Sequence, residues 1–244
     1  MVERLYTGPD AGADTAPAPA LRRDQVYAEL RRRLMVGTYP VQQRLAEERL
    51  AGELGVSRTP VREALIRLLA DGLLVRTPDG YFVALPDLHQ LRDLYELRMT
   101  LELRSLDRAA ESPAVRHDTA LLEPLHDQWR ALRADPPDPD PTFVAVDEDF
   151  HLTLCRSSGN PVIADGLASV NARIRPVRMY DFLTDDRIDL TITQHLDVLE
   201  QVLAGRLEDA VGAMRRHVGE SMEVVERRAA HAITQMALNR GRQT

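Results

Sequence analysis

The stretch Gly55-Val56-Ser57-Arg58-Thr59-Pro60-Val61-Arg62-Glu63-Ala64-Leu65 predicts the turn and the second helix of a helix-turn-helix. Gly55 can end one helix, because a residue without a Cβ atom tolerates the left-handed conformation that follows a helix end. Ser57 or Thr59 can cap the next helix by accepting a hydrogen bond from a free backbone N–H group. Pro60 then falls in the first turn, where its missing N–H group is not needed.

The helix after this turn has one apolar face and one polar face. Val61, Leu65 and Leu68 recur at helical spacing and predict the buried face. Polar side chains at the N-terminal end of the helix lie off this face, where a recognition helix presents them to a DNA groove. With the neighbouring elements included, the predicted DNA-contacting residues are Arg49, Ser57, Arg58, Thr59, Arg62 and Gly80.

The segments on either side complete a small DNA-binding fold. Residues 22–36 and 46–54 carry apolar residues at helical spacing, and the second of these segments is the predicted leading helix of the helix-turn-helix. Residues 73–75 and 81–83 predict two short strands. The turn between them contains Asp79-Gly80, a strong hairpin signal because both residues tolerate a positive φ. This hairpin is the predicted wing, and its glycine would let the backbone approach DNA closely.

Residues 50–74, LAGELGVSRTPVREALIRLLADGLL, resemble the winged helix-turn-helix of GntR-type bacterial transcription regulators. The resemblance is carried by SRTPVREAL, followed by a D-G-L-L turn and a short hairpin. It implies binding to operator DNA, with Arg58 and Arg62 at bases or adjacent phosphates and Arg49 at the DNA backbone. The alternative is an ordinary helical hairpin with a solvated arginine face.

The composition predicts a globular protein that is not embedded in a membrane. The chain has 244 residues, of which 44% are hydrophobic, enough for one large or two modest domains. No apolar run approaches the roughly 20 residues that span a bilayer. The first residues lack a basic-then-apolar signal pattern, so we expect a cytoplasmic protein. A single cysteine, Cys155, excludes an intrachain disulfide and fits a reducing compartment.

Charge is distributed unevenly along the chain, whose net charge is −7. Residues 21–85 hold 11 arginines and 8 acidic residues, whereas residues 86–244 hold 19 arginines and 27 acidic residues. A mildly basic module on an acidic body is consistent with phosphate contact at one end only. Residues 1–20 are rich in alanine, proline, glycine and aspartate, which predicts a disordered tail.

Beyond Pro86 the pattern is helical throughout. The fold we predict is mainly α: an N-terminal winged helix-turn-helix over residues 21–85 and a C-terminal antiparallel all-helical bundle over residues 86–238, followed by a tail of residues 239–244. The predicted helices of the bundle are residues 87–111, 114–133, 142–157, 161–183, 186–204 and 207–238.

Four residues in the predicted bundle are candidate metal ligands. Asp147 and His151 lie four residues apart on one helix, so their side chains point the same way. His195 and His217 lie on the last two helices. Three facing helices could bring one carboxylate and three imidazoles together, a set that suits Zn²⁺, Ni²⁺ or Mn²⁺. The alternatives are a surface hydrogen bond for the Asp/His pair, and exposed or hydrogen-bonded core histidines elsewhere.

Residues 87–238 are similar to the FCD effector domain of the FadR-type branch of the GntR family. Metal-binding members of that branch show D-x-x-x-H, a second His and a third His, which match Asp147 to His151, His195 and His217. The resemblance implies a divalent metal, zinc first. Three His and one Asp leave coordination positions open if the ion takes five or six ligands, and we expect a small organic acid to fill them with carboxylate and hydroxyl oxygens. Arg98 matches an arginine that often faces the pocket, and a guanidinium fits a carboxylate in bidentate fashion. The alternative for Arg98 is an intrahelical pair with Glu102.

The function expected from these features is a ligand-responsive transcription regulator, a repressor, that binds a near-palindromic operator as a homodimer. Coupling between the effector site and DNA is expected to pass through residues 84–88, which join the two domains. One alternative is a metal-dependent enzyme. The other is a protein whose metal is purely structural, or a metal sensor. We expect no enzyme, since the sequence shows no general base partnered to the metal, no nucleophile motif and no phosphate loop. A sensor would change its DNA affinity with metal alone.

Overall fold

The computed structural model describes residues 23–112, 114–182 and 184–240. The predicted tail of residues 1–20 and most of the predicted C-terminal tail lie outside them. Within the described residues the chain forms nine helices and two strands: α1 (Arg23–Met35), α2 (Glu47–Leu54), α3 (Arg58–Ala70), β1 (Leu74–Thr77), β2 (Gly80–Val83), α4 (Leu88–Glu111), α5 (Thr119–Ala134), α6 (Phe143–Ser157), α7 (Pro161–Arg178), α8 (Asp185–Leu203) and α9 (Leu207–Arg240). The predicted mainly α fold class is confirmed.

The helix-turn-helix consists of α2 and α3, joined at Gly55. Gly55 has a φ of 65°, and its N–H group closes the end of α2, as predicted. Ser57 occupies the N-cap position of α3, but its hydroxyl makes no capping hydrogen bond. Ser57, one of the two residues predicted to cap α3, is therefore at the predicted position, but the predicted hydrogen bond is not made. Its hydroxyl remains exposed at the start of the recognition helix.

The wing is a two-stranded antiparallel hairpin in which Thr77 pairs with Gly80. Both strands therefore extend closer to the turn than the sequence pattern predicted, and only Pro78-Asp79 separates them. Gly80 has a φ of 133°, a conformation that residues with a Cβ atom rarely adopt. Tyr81 also forms an isolated bridge with Leu45, which joins the wing to the segment before α2.

The C-terminal helices form a bundle around one aromatic and aliphatic core. Within it, α4 packs against α7 and α9, α8 packs against α5 and α9, and α6 packs against α5 and α7. The largest apolar side chains of this core are fully buried, among them Trp129, Tyr95, Phe150 and Phe182. No helix in the described part of the chain has both the length and the apolarity that a membrane crossing requires.

Three helix ends differ from the sequence prediction by two or more residues. α5 begins at Thr119 rather than residue 114, because the Asp118 side chain caps it by accepting from the Ala120 N–H group. α7 ends at Arg178 rather than residue 183, where i→i−3 backbone bonds replace the helical pattern. α9 continues to Arg240, two residues beyond the predicted end.

α7 lies between the two cores. Ala172 of α7 is buried with the apolar residues of the N-terminal module, while Val170 and Ile174 of the same helix belong to the bundle core. The division of the chain at Pro86 remains a prediction, since the two units share this helix as a packing surface.

Replacing Leu65 by alanine should destabilise the protein, whereas the same change at its neighbour Ile66 should not. Leu65 is fully buried and Ile66 is 51% exposed. We expect a loss of about 2–5 kcal/mol for Leu65→Ala, because the cavity adds to the lost transfer free energy. For Ile66→Ala we expect less than about 0.5 kcal/mol. Urea unfolding followed by circular dichroism measures both, and equal losses would contradict the orientation of α3.

Candidate metal centre and DNA-binding surface

The four predicted metal ligands converge inside the bundle. Asp147 and His151 come from α6, His195 from α8 and His217 from α9, and all four side chains are buried. One donor atom from each lies within 4.8 Å of the others. The i,i+4 spacing on α6 places its two donors on the face turned toward the α8–α9 pair.

The distances among the donors are those of a common centre. Nε2 of His217 lies 3.1 Å from Nε2 of His195 and 3.2 Å from Nε2 of His151. The Asp147 carboxylate lies 3.6 Å from Nε2 of both His151 and His195. Ligands bound to zinc at about 2.0–2.1 Å in a tetrahedron are about 3.3 Å apart. The spacing therefore fits a single ion. Mutual hydrogen bonds do not explain it, because each nitrogen of a neutral imidazole is either a donor or an acceptor, so three of them cannot all be paired with one another.

Two of the imidazoles are held with their Nε2 lone pairs facing inward. Nδ1 of His151 lies 2.5 Å from Glu102, whose carboxylate can only accept. Nδ1 of His217 lies 2.8 Å from the amide oxygen of Gln194, and the amide nitrogen of Gln194 donates to Glu220 at 2.6 Å. Both Nδ1 atoms must therefore carry the proton. A hydrogen bond of this kind from the outer nitrogen fixes the tautomer and orientation of a metal-binding histidine.

His195 is oriented by packing instead. Its ring stacks on Phe150 with centroids 3.6 Å apart and meets the edge of Trp129 at 4.2 Å. Its Nδ1 atom is buried without a hydrogen-bond partner among the described residues. The aromatic core therefore fixes the orientation of the His195 ring, whereas Glu102 and Gln194 fix both orientation and tautomer in the other two histidines.

Arg178 compensates the buried charge of Asp147. Its Nη2 atom donates to Oδ2 of the carboxylate at 2.6 Å, while Oδ1 has no hydrogen-bond partner among the described residues. Burial alone would raise the pKa of Asp147, but Arg178 and the imidazoles outweigh it and hold that pKa well below its usual range. Burial, reinforced by the neighbouring imidazoles, lowers the pKa of His195 and of His217. A charged carboxylate beside neutral imidazoles is the protonation state that metal binding requires.

The donor set is compatible with a divalent metal ion. It combines three imidazole nitrogens with one ionised carboxylate, whose Oδ1, unpaired among the described residues, faces the imidazoles. Imidazole and carboxylate together suit zinc and its neighbours in the first transition row. The residues present fit the metal that the sequence resemblance implies.

Arg98 makes the intrahelical pair with Glu102 and keeps part of its guanidinium unpaired among the described residues. It is fully buried, and its Nε atom donates to Glu102 at 2.6 Å, as the intrahelical alternative predicts. Its Nη1 and Nη2 atoms are buried without partners among the described residues, which leaves two donors of the fork available. Despite burial, the neighbouring His151 and Arg98 lower the pKa of Glu102 to about 2. One chain of contacts therefore runs from Arg98 through Glu102 to His151.

Three of the predicted DNA-contacting residues, Arg58, Arg62 and Gly80, line a groove between the start of α3 and the wing. Glu47 lies within it and accepts from Arg62 at 2.9 and 3.0 Å and from Arg58 at 3.5 Å. The Arg62 hydrogen bonds lower the pKa of Glu47, so the carboxylate stays charged. Arginines are the residue type that recognises phosphates and guanine edges. The four arginines that line the groove are Arg44, Arg58, Arg62 and Arg76.

Three other predicted DNA contacts, Ser57, Thr59 and Arg49, are exposed but do not line this groove. Thr59 is exposed beside Arg58 on the first turn of α3. Arg49 lies on α2, where it donates to the Arg44 carbonyl at 3.0 Å. The Arg44 side chain packs against Gly80. A Cβ atom at position 80 would lie 2.9 Å from Nε of Arg44.

Sequence reasoning missed several residues of both sites. At the DNA surface it missed Arg44, Arg76 and the acidic partner Glu47; at the metal site it missed Glu102 as a histidine partner, Gln194 and Arg178. The pair Arg98/Glu102 did carry a signal in its i,i+4 spacing. The others depend on which elements face one another.

Comparison with known proteins places this architecture in a family. The pattern described as "Bacterial regulatory proteins, gntR family" matches residues 22–83, and that of the FCD domain matches residues 93–220. This chain belongs to the GntR family. It carries the FCD effector domain of the FadR-type branch, as the sequence resemblance implied. A GntR-family protein of this kind is a DNA-binding transcription regulator and not an enzyme.

Relatives and one solved structure agree with this assignment. The Nta operon transcriptional regulator of Aminobacter aminovorans is 33% identical over 192 residues, 75% of this chain and 86% of its own. The repressor RspR of Escherichia coli is 30% identical over 203 residues, 82% of this chain and 87% of its own. A putative GntR regulator from Rhodococcus shares the fold, with a TM-score of 0.70 and 24% identity over 83% of this chain and 96% of its own.

Arg62→Ala should weaken specific DNA binding while leaving the fold intact. Arg62 is an exposed arginine on the groove side of α3, whereas Arg67, on the same helix, pairs with Asp24 outside the groove lining. Loss of a bidentate base contact costs about 1–3 kcal/mol per site. Gel-shift titration on the operator should therefore show weakened binding for Arg62→Ala and little change for Arg67→Ala. Equal affinities of both variants and the wild type would show that the recognition surface is misplaced.

Gln194→Leu should weaken metal binding without removing a metal ligand. The change deletes the acceptor that keeps the proton on Nδ1 of His217, and loss of such an outer partner typically lowers metal affinity about 10–100-fold. Gln201→Leu, on the same helix but paired with Asp197 and Arg206, is the matched control. Competition with a chromogenic chelator measures the affinities.

His195→Ala should lower both metal occupancy and melting temperature, and normal zinc uptake by that variant would exclude His195 as a ligand.

Proposed function

We propose that this GntR-family protein is a metal-containing, ligand-responsive repressor whose effector is a small organic acid. The observation that carries the proposal is the convergence of Asp147, His151, His195 and His217 beside the buried Arg98, which keeps two unpaired donors. Since its target is chromosomal DNA, we expect the protein to act in the cytoplasm.

The DNA-binding part of the proposal is a homodimer on a near-palindromic operator. One module with a short recognition helix buries too little surface on DNA for tight specific binding, and two-fold proteins read two-fold sites. The relative RspR is named as a repressor, which supports repression as the sign of regulation here.

The metal ion would be held by Asp147, His151, His195 and His217, with zinc expected first and nickel or manganese as alternatives. When bound, it would supply a Lewis-acid centre to which carboxylate and hydroxyl oxygens coordinate. Three imidazoles and one carboxylate leave coordination positions open if the ion takes five or six ligands. The rest of the binding chemistry belongs to the protein's own side chains.

The charge balance of the site favours an anionic effector. Two buried carboxylates, Asp147 and Glu102, are matched by two buried guanidiniums, Arg98 and Arg178, while the imidazoles of His195 and His217 are neutral. A divalent cation added to this balanced set leaves an excess of two positive charges in a buried site. Uncompensated buried charge is strongly unfavourable. An organic acid with one or two carboxylates removes the excess, which a neutral ligand does not.

A layer of unpaired polar groups lies one helical turn from the metal ligands. Thr191 precedes His195 by four residues on α8, and Ser221 follows His217 by four on α9, so both share the faces of those histidines. Both hydroxyls are buried and lack partners among the described residues, as do Nη1 and Nη2 of Arg98. Buried polar groups are normally hydrogen-bonded. This layer therefore suits a polar acid better than an acyl chain.

A metal sensor is the second candidate, because the four donors alone account for metal binding. The two candidates differ in what changes DNA affinity. A sensor responds to zinc without any acid, whereas the proposed repressor responds to acid at constant zinc.

A thermal-shift screen of small carboxylates, run with and without zinc, should identify acids that stabilise the protein only when zinc is present. A ligand at 100 times its Kd adds about 2.7 kcal/mol to stability. The acid found should then weaken operator binding by roughly 5- to 150-fold, the usual range of allosteric coupling. Fluorescence anisotropy with labelled operator measures the change.

The controls separate the roles of metal and arginine. Arg98→Met and His217→Ala should lose the response, while Arg104→Met, an exposed arginine of α4 paired with Glu111, should keep it. An acid that binds at the metal but leaves operator affinity unchanged would contradict a regulatory role. A full response to zinc alone would favour the sensor.

A further inference from the structure

α7 presents two different faces to two different partners. Asn171 and Arg178, seven residues and two turns apart, are buried on the bundle side, and Arg178 binds the metal-site residue Asp147. Ala172 of α7 is buried in the core of the DNA-binding module, and Met179, directly after the end of α7, lies near Gly37 of that module as well as against the bundle core. One rigid helix therefore touches the metal site and the DNA-binding module at the same level.

Arg175 lies on the module-facing side of α7 and contacts both units at once. Its Nε atom donates to Glu148 at 3.0 Å, and its Nη2 atom donates to the second carboxylate oxygen of the same residue. Its Nη1 atom donates to the backbone carbonyl of Met35 at 3.0 Å. The guanidinium thus holds a carboxylate of α6 in bidentate fashion and the last residue of α1 with its remaining group.

The carbonyl of Met35 is a specific acceptor at the end of α1. The carbonyls of Arg32, Arg33 and Leu34 accept from the N–H groups of residues 36, 38 and 37, which closes the end of the helix. The carbonyl of Met35 receives the Arg175 guanidinium. A cation at a helix C-terminus also interacts favourably with the helix dipole.

Glu148 connects this contact to the metal site. It follows Asp147 directly on α6, and its side chain is buried. Because α6 is a continuous helix over Phe143–Ser157, a change in the position of the Asp147 backbone moves Glu148 with it. The path from the metal ligand to the DNA-binding module therefore contains two residues, Glu148 and Arg175.

We propose that Arg175 is a positioning residue that transmits the state of the metal site to the DNA-binding module through Glu148 and the end of α1. This inference rests on the proposed function, since it assumes that a metal binds at Asp147. It assigns the coupling to a packed contact between α6, α7 and α1, in addition to the covalent linker at residues 84–88.

The proposal differs from a purely structural role in a measurable way. A structural contact would protect the end of α1 equally in the metal-free and the metal-bound protein. A transmitting contact makes that protection depend on the metal. The N–H groups of Val36, Gly37 and Thr38, which close α1, report this protection by hydrogen exchange.

The experiment uses the full chain, stripped with a chelator and reloaded with zinc alone, and compares hydrogen exchange at residues 36–38 in the two states. In the wild type we expect zinc to slow exchange about 5-fold or more, the lower end of usual coupling. The test variant is Glu148→Met/Arg175→Met, because replacing both members of this partly buried ion pair by apolar residues leaves no unpaired charge on the buried Glu148 side. In this variant zinc should still protect α6, but its effect at residues 36–38 should disappear.

Two further variants sharpen the result. Arg173→Met removes an arginine of α7 that lies over Gly72 of the DNA-binding module, and it should keep the zinc effect. Arg175→Lys keeps the charge but cannot hold Glu148 and Met35 together, so it should lose most of the effect. The inference is overturned if zinc binds to the wild type without changing exchange at residues 36–38, or if the double variant keeps the full zinc effect. Failure of the wild type to take up zinc overturns the proposed function itself, and this inference with it.

Discussion

The polar interior of the bundle depends on the buried ion pair of Asp147 and Arg178. A carboxylate at this depth would take up a proton unless a cation compensated its lost hydration. The Arg178 guanidinium is that cation. It donates to Oδ2 of Asp147 and leaves Oδ1 facing His195. The pair therefore keeps Asp147 ionised and directed at the imidazoles, and the same guanidinium retains nitrogens without partners among the described residues. One interaction thus stabilises the buried charge and leaves polar atoms that the proposed metal and effector would contact.

The same helix that carries Arg178 also forms the boundary with the DNA-binding module. Residues of α7 fill part of the apolar core of that module through Ala172 and reach the end of α1 through Arg175. A helix shared by two cores cannot shift against one without disturbing the other, because packed interiors resist small displacements. Regulation by a ligand in the bundle then requires only that the ligand favour one position of α7.

The helix-turn-helix could be predicted from the sequence because its determinants are local, as at Gly55 and in the apolar spacing of α3. Predicting the four candidate metal donors needed the family resemblance as well, since i,i+4 spacing relates only Asp147 and His151. Arg178 and Gln194 could not be predicted, because their partners lie on helices whose packing the sequence pattern does not specify. The start of α5 did carry a local signal, the capping side chain of Asp118, that helical periodicity alone overlooked.

The central claim is that the buried carboxylate and three imidazoles form a metal centre. X-ray absorption at the metal edge of protein purified without chelators tests it most directly. The account predicts about one ion per subunit, with three imidazole nitrogens and a carboxylate oxygen at about 2.0–2.1 Å if the ion is zinc. A thiolate ligand at about 2.3 Å, fewer than three imidazoles, or protein that remains free of metal after reloading would contradict it.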